Sequence, residues 1–147
     1  TLVWASDDSL AACLVPTDGS KPLTKVVLLS LSSGNQTTAI SQSKGQEEGF
    51  EIYDVRACAT GVVWTEANIL DGTWRIYSGA LSNGELGTAA LAEEGGADWE
   101  TPTLAASSGY AFWQVLQGNR RLPRQAFRRE ARRFLKARAR CSNLRFR

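Results

Sequence analysis

The stretch Gly61-Val62-Val63-Trp64-Thr65-Glu66 returns later in the chain as Gly109-Tyr110-Ala111-Phe112-Trp113-Gln114, an offset of 48 residues. At the same offset Ala57-Cys58 falls on Ala105-Ala106 and Val55 falls on Thr103. A second match runs from Lys25-Val26-Val27 through Leu31-Ser32-Ser33-Gly34 to Arg75-Ile76-Tyr77 through Leu81-Ser82-Asn83-Gly84, an offset of 50. Self-similarity at a fixed period marks a repeat architecture, in which each unit buries its apolar face against its neighbours.

The repeating unit is built from strands. Before residue 118 helical periodicity is scarce, whereas period-2 alternation recurs, as in Trp74-Arg75-Ile76-Tyr77, with β-branched and aromatic residues in short runs. The pairs Asp18-Gly19, Ser33-Gly34, Asp71-Gly72, Asn83-Gly84 and Ser108-Gly109 separate these runs. Gly and Asn supply the positive φ that tight hairpins require, so these pairs are expected turns. One full unit is predicted as strands over 53–59, 61–67, 73–81 and 86–92, from innermost to outermost. About four strands per period of 48–50 residues fit the blade of a β-propeller, and the strand pattern excludes helix-pair solenoids. The expected fold is all-β, an incomplete propeller of two to two and a half blades. Its units span about 1–46, 47–96 and a truncated 97–117, with a separate segment over 118–147. The runs Val55-Arg56-Ala57-Cys58-Ala59 and Thr103-Leu104-Ala105-Ala106-Ser107 are rich in small residues, which suits strands crowded near a central axis.

The residues Gly61 to Glu66, then Asp71-Gly72-Thr73-Trp74-Arg75-Ile76-Tyr77, then Leu81-Ser82-Asn83-Gly84 resemble a blade of the TolB-like (WD40-like) propellers. The likeness is good over 53–84 and loose over 1–116. It departs from the family in the longer hairpin at Ala67 to Leu70 and in the first unit. The resemblance implies a bacterial, extracytoplasmic protein. It says little of activity, because propellers host many functions. Asp71-Gly72-Thr73-Trp74 also resembles the Asp-box of sialidase-type propellers, but it lacks the residue between Asp and Gly, the residue between Gly and Thr, and the upstream Ser.

Charge divides the chain. Residues 1–117 carry five basic and fourteen acidic side chains, a net of −9, whereas residues 118–147 carry twelve basic side chains and only Glu130, a net of +11. Eleven of those twelve are Arg. The third unit is interrupted in its second strand where this composition begins, so the favoured reading of 118–147 is non-native sequence from a shifted reading frame. Two alternatives stand beside it. One is an amphipathic helix over Phe127, Ala131, Phe134 and Leu135 that binds nucleic acid or an anionic surface; the other is a disordered extension. Nucleic acid is the disfavoured partner.

Catalytic chemistry is restricted by what is missing. The sequence has no His, which removes Ser-His, Cys-His and imidazole–metal arrangements. There is no Gly-rich phosphate loop and no Asp-x-Asp-x-Asp calcium loop. The pairs Asp7-Asp8, Glu47-Glu48 and Glu93-Glu94 read as solvated turn charges, since neighbours on a strand point to opposite faces. Asp54, at the start of an innermost strand, is the one weak candidate for a channel carboxylate. Trp64, Trp74, Tyr77 and Trp113 are expected to fill the layers between blades. Trp99, in the polar run Ala97-Asp98-Trp99-Glu100, is the candidate ligand-binding residue. Cys13, Cys58 and Cys141 lack metal-ligand spacing; the first two are expected as buried free thiols, with a disulfide between them the lesser alternative.

No cofactor, no metal and no catalytic residue are therefore expected. No apolar run reaches the roughly 18 residues that cross a bilayer. The start, Thr1-Leu2-Val3-Trp4, lacks the basic region of a signal peptide, and with no Met present it reads as the product of processing or of a start further upstream. The expected function is non-enzymatic binding or scaffolding, with a protein or small ligand at the loops. The alternative is the propeller portion of a glycoside hydrolase or serine peptidase whose catalytic groups lie elsewhere.

Overall fold

The computed structural model describes residues 2–5, 9–17, 23–116 and 139–145. Among them the chain is all-β, with three antiparallel sheets, none of them closed. The first sheet is a meander of β1 (Leu2–Ala5), β2 (Leu10–Pro16), β3 (Leu23–Ser30) and β4 (Gln36–Ile40). A 3-10 turn over Gln46–Glu48 leads to the second sheet, β5 (Glu51–Cys58), β6 (Gly61–Asn68) and β7 (Thr73–Ser82). There β7 pairs first with the two-residue β8 (Glu85–Leu86) and then, along its other half, with β9 (Ala90–Gly95). The third sheet is β10 (Thr103–Ser107), β11 (Tyr110–Leu116) and β12 (Ala139–Arg145).

The predicted hairpins form where the sequence places them. Gly34, Gly72, Gly84 and Gly109 all have φ between 73° and 82°. Asn83 and Ser108 also have positive φ, giving the two-residue turns whose twist matches the flanking strands. The pair Asp18-Gly19 lies outside the described residues.

The sheets stack face to face in chain order. Ala12, Leu14, Val26, Leu28 and Ile40 of the first sheet form one buried cluster with Ile52, Val55, Ala57, Val62 and Trp64 of the second. The opposite side of the second sheet supplies Cys58, Val63, Ala67, Trp74 and Ile76 to another cluster, with Leu104, Ala106, Ala111, Trp113 and Val115 of the third. Covered on both sides, β6 is buried at every position, whereas β11 alternates between exposed and buried because one of its faces is open. Burial of this kind is the main stabilising term in such a stack.

These faces correct the repeat register. Val55, Ala57, Val62 and Trp64 meet the preceding sheet in the same way as Leu104, Ala106, Ala111 and Trp113 do one unit later, so the offset is 49 and not 48. Trp64 therefore corresponds to Trp113 and not to Phe112, which is 41% exposed. The two glycines that suggested 48 are not equivalent. Gly61 is a strand residue paired with Cys58, whereas Gly109 is a turn residue with φ 82°. A slip of one residue moves every side chain to the opposite face.

Other boundaries also move. The outermost strand of the second unit is Ala90–Gly95 rather than 86–92, and β5 begins at Glu51 with a bulge at Tyr53. Within the basic segment, Ala139–Arg145 is neither helical nor disordered. It pairs antiparallel with the whole length of β11, from Leu116↔Ala139 to Tyr110↔Arg145, and so continues the sheet that the sequence reading ended at Leu116. The predicted helical face at Phe127 to Leu135 lies outside the described residues.

Candidate functional site

A cavity of about 460 Å³ lies at the β6–β7 hairpin end of the second sheet, lined by Glu48, Phe50, Asn68, Asp71, Thr73, Trp74, Arg75, Glu94 and Gly95. Three chain segments build it: the loop around the 3-10 turn, the hairpin itself and the end of β9. Each is held by local chemistry that can be followed residue by residue.

The loop is clamped by a buried carboxylate. Glu66, fully buried in β6, accepts the Lys44 N–H at 2.7 Å, the Gly45 N–H at 3.0 Å and the indole N–H of Trp64 at 3.1 Å. Ser43 adds a hydroxyl bond to the Phe50 carbonyl at 2.6 Å. An unpaired buried carboxylate is costly, so three donors aimed at one group fix the loop as well as satisfy the charge. Trp64 in turn stacks on Tyr77, with ring centroids 5.5 Å apart.

The clamped loop delivers Glu48 to Arg75. The guanidinium donates to both carboxylate oxygens, at 3.0 and 2.7 Å, and lies 4.2 Å above the centre of the Phe50 ring. Glu94 approaches Arg75 Nε to 3.8 Å. The hydrogen bonds from Arg75 hold Glu48 below the usual carboxylate range and push the Arg75 pKa up. A planar guanidinium gripped bidentately and stacked on an aromatic ring is a pre-oriented group.

The hairpin supplies the rim. Asp71 accepts the Thr73 hydroxyl at 2.6 Å and the Thr73 N–H at 2.8 Å, bonds that lower its pKa. Asn68 donates to the Glu48 carbonyl at 3.1 Å and accepts the Leu70 N–H at 3.0 Å. Beyond them, Ile69 and Leu70 stand 82% and 89% exposed at the hairpin tip. The floor is Trp74, buried, with an indole N–H that has no hydrogen-bond partner. Its ring lies so close over Gly95 that a Cβ there would sit 2.2 Å from Trp74 Cζ2. Only glycine permits that approach.

Of the residues weighed from sequence, Glu48, Glu94, Asp71, Thr73 and Trp74 line the cavity, where Glu48 and Glu94 approach Arg75 rather than standing as solvated turn charges, whereas the two site candidates, Trp99 and Asp54, do not line it. Trp99 is half-buried, packed against the cluster of Val63, Ile76 and Trp113, with its backbone N–H donated to the Gly96 carbonyl at 3.0 Å; it does not line the cavity. Asp54 lies buried within β5, just past the bulge at Tyr53 and not at the strand's start, and bonds both the Val55 N–H, at 2.8 Å, and the Arg56 guanidinium. Burial raises its pKa against the opposing pull of Arg56. Glu93 and Glu94 diverge as strand neighbours should: Glu93 accepts the Trp113 indole N–H at 2.6 Å, while Glu94 turns to Arg75. Asp7-Asp8 lies outside the described residues.

Cys13 and Cys58 are buried free thiols. Cys58 packs between the second and third sheets, and burial pushes the Cys13 thiol up, so it stays protonated. No group of three or more His, Cys, Asp or Glu side chains suited to a metal occurs among the described residues, and no helix among them is long and apolar enough to cross a membrane. The sequence reading set aside Glu47-Glu48, Asp71–Trp74 and Glu93-Glu94 one by one, because the cavity joins three distant stretches that share no common motif. Comparison with protein-family models, with curated proteins and with solved structures returns no match.

Proposed function

We propose that the chain is part of a β-propeller of the TolB-like kind and serves as a non-enzymatic binding module, whose partner is a protein segment docking at the β6–β7 hairpin. The stacking of three antiparallel meanders in chain order supports the propeller, as does the contact of the innermost strands β5 and β10. The binding role rests on one observation. An apolar tip, Ile69-Leu70, stands in solvent at the rim of a cavity whose polar groups are already oriented. Exposed aliphatic side chains next to a pre-formed concave site are what a peptide or loop with an apolar anchor needs. Hydrogen-bonding groups on that partner meet Glu94, the outer face of the Glu48–Arg75 pair and, after a small shift of the ring, the unpartnered Trp74 N–H.

An enzymatic role has less support. Asp54 is engaged by Arg56 and the Val55 N–H, which leaves it poorly placed as an acid or base.

The test is to select displayed random peptides on the full chain and measure the best binders by calorimetry. Their affinity should fall about tenfold or more in the Ile69→Ser/Leu70→Ser variant and in Arg75→Ala. Failure to select any binder, or binders indifferent to both variants, would contradict the proposal.

A further inference from the structure

Charge around the cavity is not balanced. Among the described residues three carboxylates line it, Glu48, Asp71 and Glu94, against one cation, Arg75. Arg75 is committed to Glu48, with a hydrogen bond to each carboxylate oxygen. Its Nε stands 3.8 Å from Glu94, too far for a hydrogen bond, and the Glu94 side chain is 65% exposed. Both bonds that Asp71 accepts from Thr73 fall on Oδ1, which leaves Oδ2 to an incoming group. The hydrogen bonds that lower the pKa values of Glu48 and Asp71 keep both carboxylates charged at neutral pH. Glu94 and Asp71 therefore present negative charge that the cavity wall offsets only in part.

The floor makes the opposite demand. Trp74 is 2% exposed, and its Nε1–H is buried without an acceptor among the described residues. A buried donor left unpaired is costly, so a guest that brings an acceptor gains by it. A bare cation answers the carboxylates and leaves the N–H unmet; an anion does the reverse. A basic residue within a peptide answers both, with a charged side chain and a main-chain carbonyl.

We infer that the segment docking here carries a Lys or Arg side chain that pairs with Glu94 and Asp71, while a main-chain carbonyl of the same segment accepts the Trp74 N–H as the ring shifts slightly. This rests on the binding role proposed above and names the chemistry of the partner: a basic residue close to an aliphatic one, the aliphatic side chain lying on Ile69 and Leu70. Arg75, gripped by Glu48 and stacked on Phe50, serves as wall and not as a receptor for anions. Complementary charge of this kind sets specificity and register more than affinity.

The experiment uses displayed peptides selected on the full chain. The binders should be enriched in Lys and Arg over the unselected library, and their affinity should fall as salt rises from about 0.1 M to about 1 M. For the tightest binder, Glu94→Gln and Asp71→Asn on the chain, and Gln in place of the basic residue on the peptide, should each weaken binding about threefold to fivefold. Removing both partners of a contact should cost little more than removing one, as a double-mutant cycle reads directly. Both carboxylates are exposed, so these variants should keep the circular dichroism of the wild type. The Trp74 indole N–H resonance should move downfield on binding.

Binders that depend on Ile69 and Leu70 but show no excess of basic residues, or that are indifferent to both Glu94→Gln and Asp71→Asn, overturn the inference and leave the binding role standing. Binders rich in Asp and Glu overturn it as well, since they require Arg75 to leave Glu48 for an anion. Failure to select any binder removes the binding role itself, and the inference with it.

Discussion

Glu66 offers the sharpest single-residue test of how the cavity is held. Replacing it with Ala removes the acceptor for three donors at once: the Lys44 and Gly45 N–H groups and the Trp64 indole. Glu66, Gly45 and Trp64 are buried, so the loss is not made good by bulk water. Leaving a buried donor unmade costs about 1–3 kcal/mol, and hydrogen bonds to a charged group lie at the upper end of the net scale. For three donors, one of them half able to reach solvent, the expected destabilisation of Glu66→Ala is about 3–5 kcal/mol. Glu66→Gln keeps the shape but turns an NH₂ group toward one of the two backbone N–H donors, so it should cost about 2–3 kcal/mol.

The assay is urea denaturation followed by tryptophan fluorescence, with the slope checked for constancy so that a change in midpoint reports stability. Both variants should also loosen the loop that carries Glu48, shifting the Lys44 and Gly45 amide resonances and weakening peptides selected on the cavity, although Glu66 does not line it. Variants that each stay within about 0.5 kcal/mol of the parent would refute the clamp.

Two further outcomes follow from the same site. Gly95→Ala should cost about 1–3 kcal/mol, since its Cβ would fall 2.2 Å from Trp74 Cζ2 and the indole must shift; a thermal melt matching wild type would mean the ring does not lie across β9 as described. The pKa of Glu48 is lowered in the fold by Arg75, so the pair's contribution is present above the unfolded carboxylate pKa. It is lost as pH falls below about 4. Because the pair is solvent-facing, the loss should be small and screened by salt. NMR titration of the Glu48 carboxyl should find its midpoint below that of a model peptide in wild type and at the ordinary value in Arg75→Ala; equal midpoints would contradict the pairing.

Some of the architecture is legible because it depends on backbone chemistry that few residues satisfy. Gly34 and Gly84 align at the offset of 50 and both have positive φ, so turn glycines located the β3 and β7 hairpins. The same signal misled at Gly61 and Gly109, where one glycine lies in a strand and the other in a turn, and side-chain direction was therefore out by one. Trp99 looked exposed because its neighbours in sequence are charged, yet it is half-buried against residues from other strands. β12 was invisible in advance: Ala139-Arg140-Cys141-Ser142-Asn143-Leu144-Arg145 has no turn glycine or aromatic alternation, and its pairing with β11 spans a long intervening segment. Long-range pairs of this kind, like Glu48 with Arg75 and Glu66 with Lys44, leave no local trace. The candidate site was hidden for the same reason.

The central structural claim is that repeat units stack with a 49-residue register, which places Trp113 in the core and Phe112 on the open face. It is tested most directly by comparing Trp113→Ala with Phe112→Ala in urea, at a concentration where the chain is monomeric. Trp113 is 6% exposed and donates to Glu93, so its loss should cost about 3–5 kcal/mol, whereas Phe112→Ala should cost less than about 1 kcal/mol. The reverse order, with Phe112→Ala the more damaging, would show that the face assigned to the core is the one in solvent and would contradict the stack.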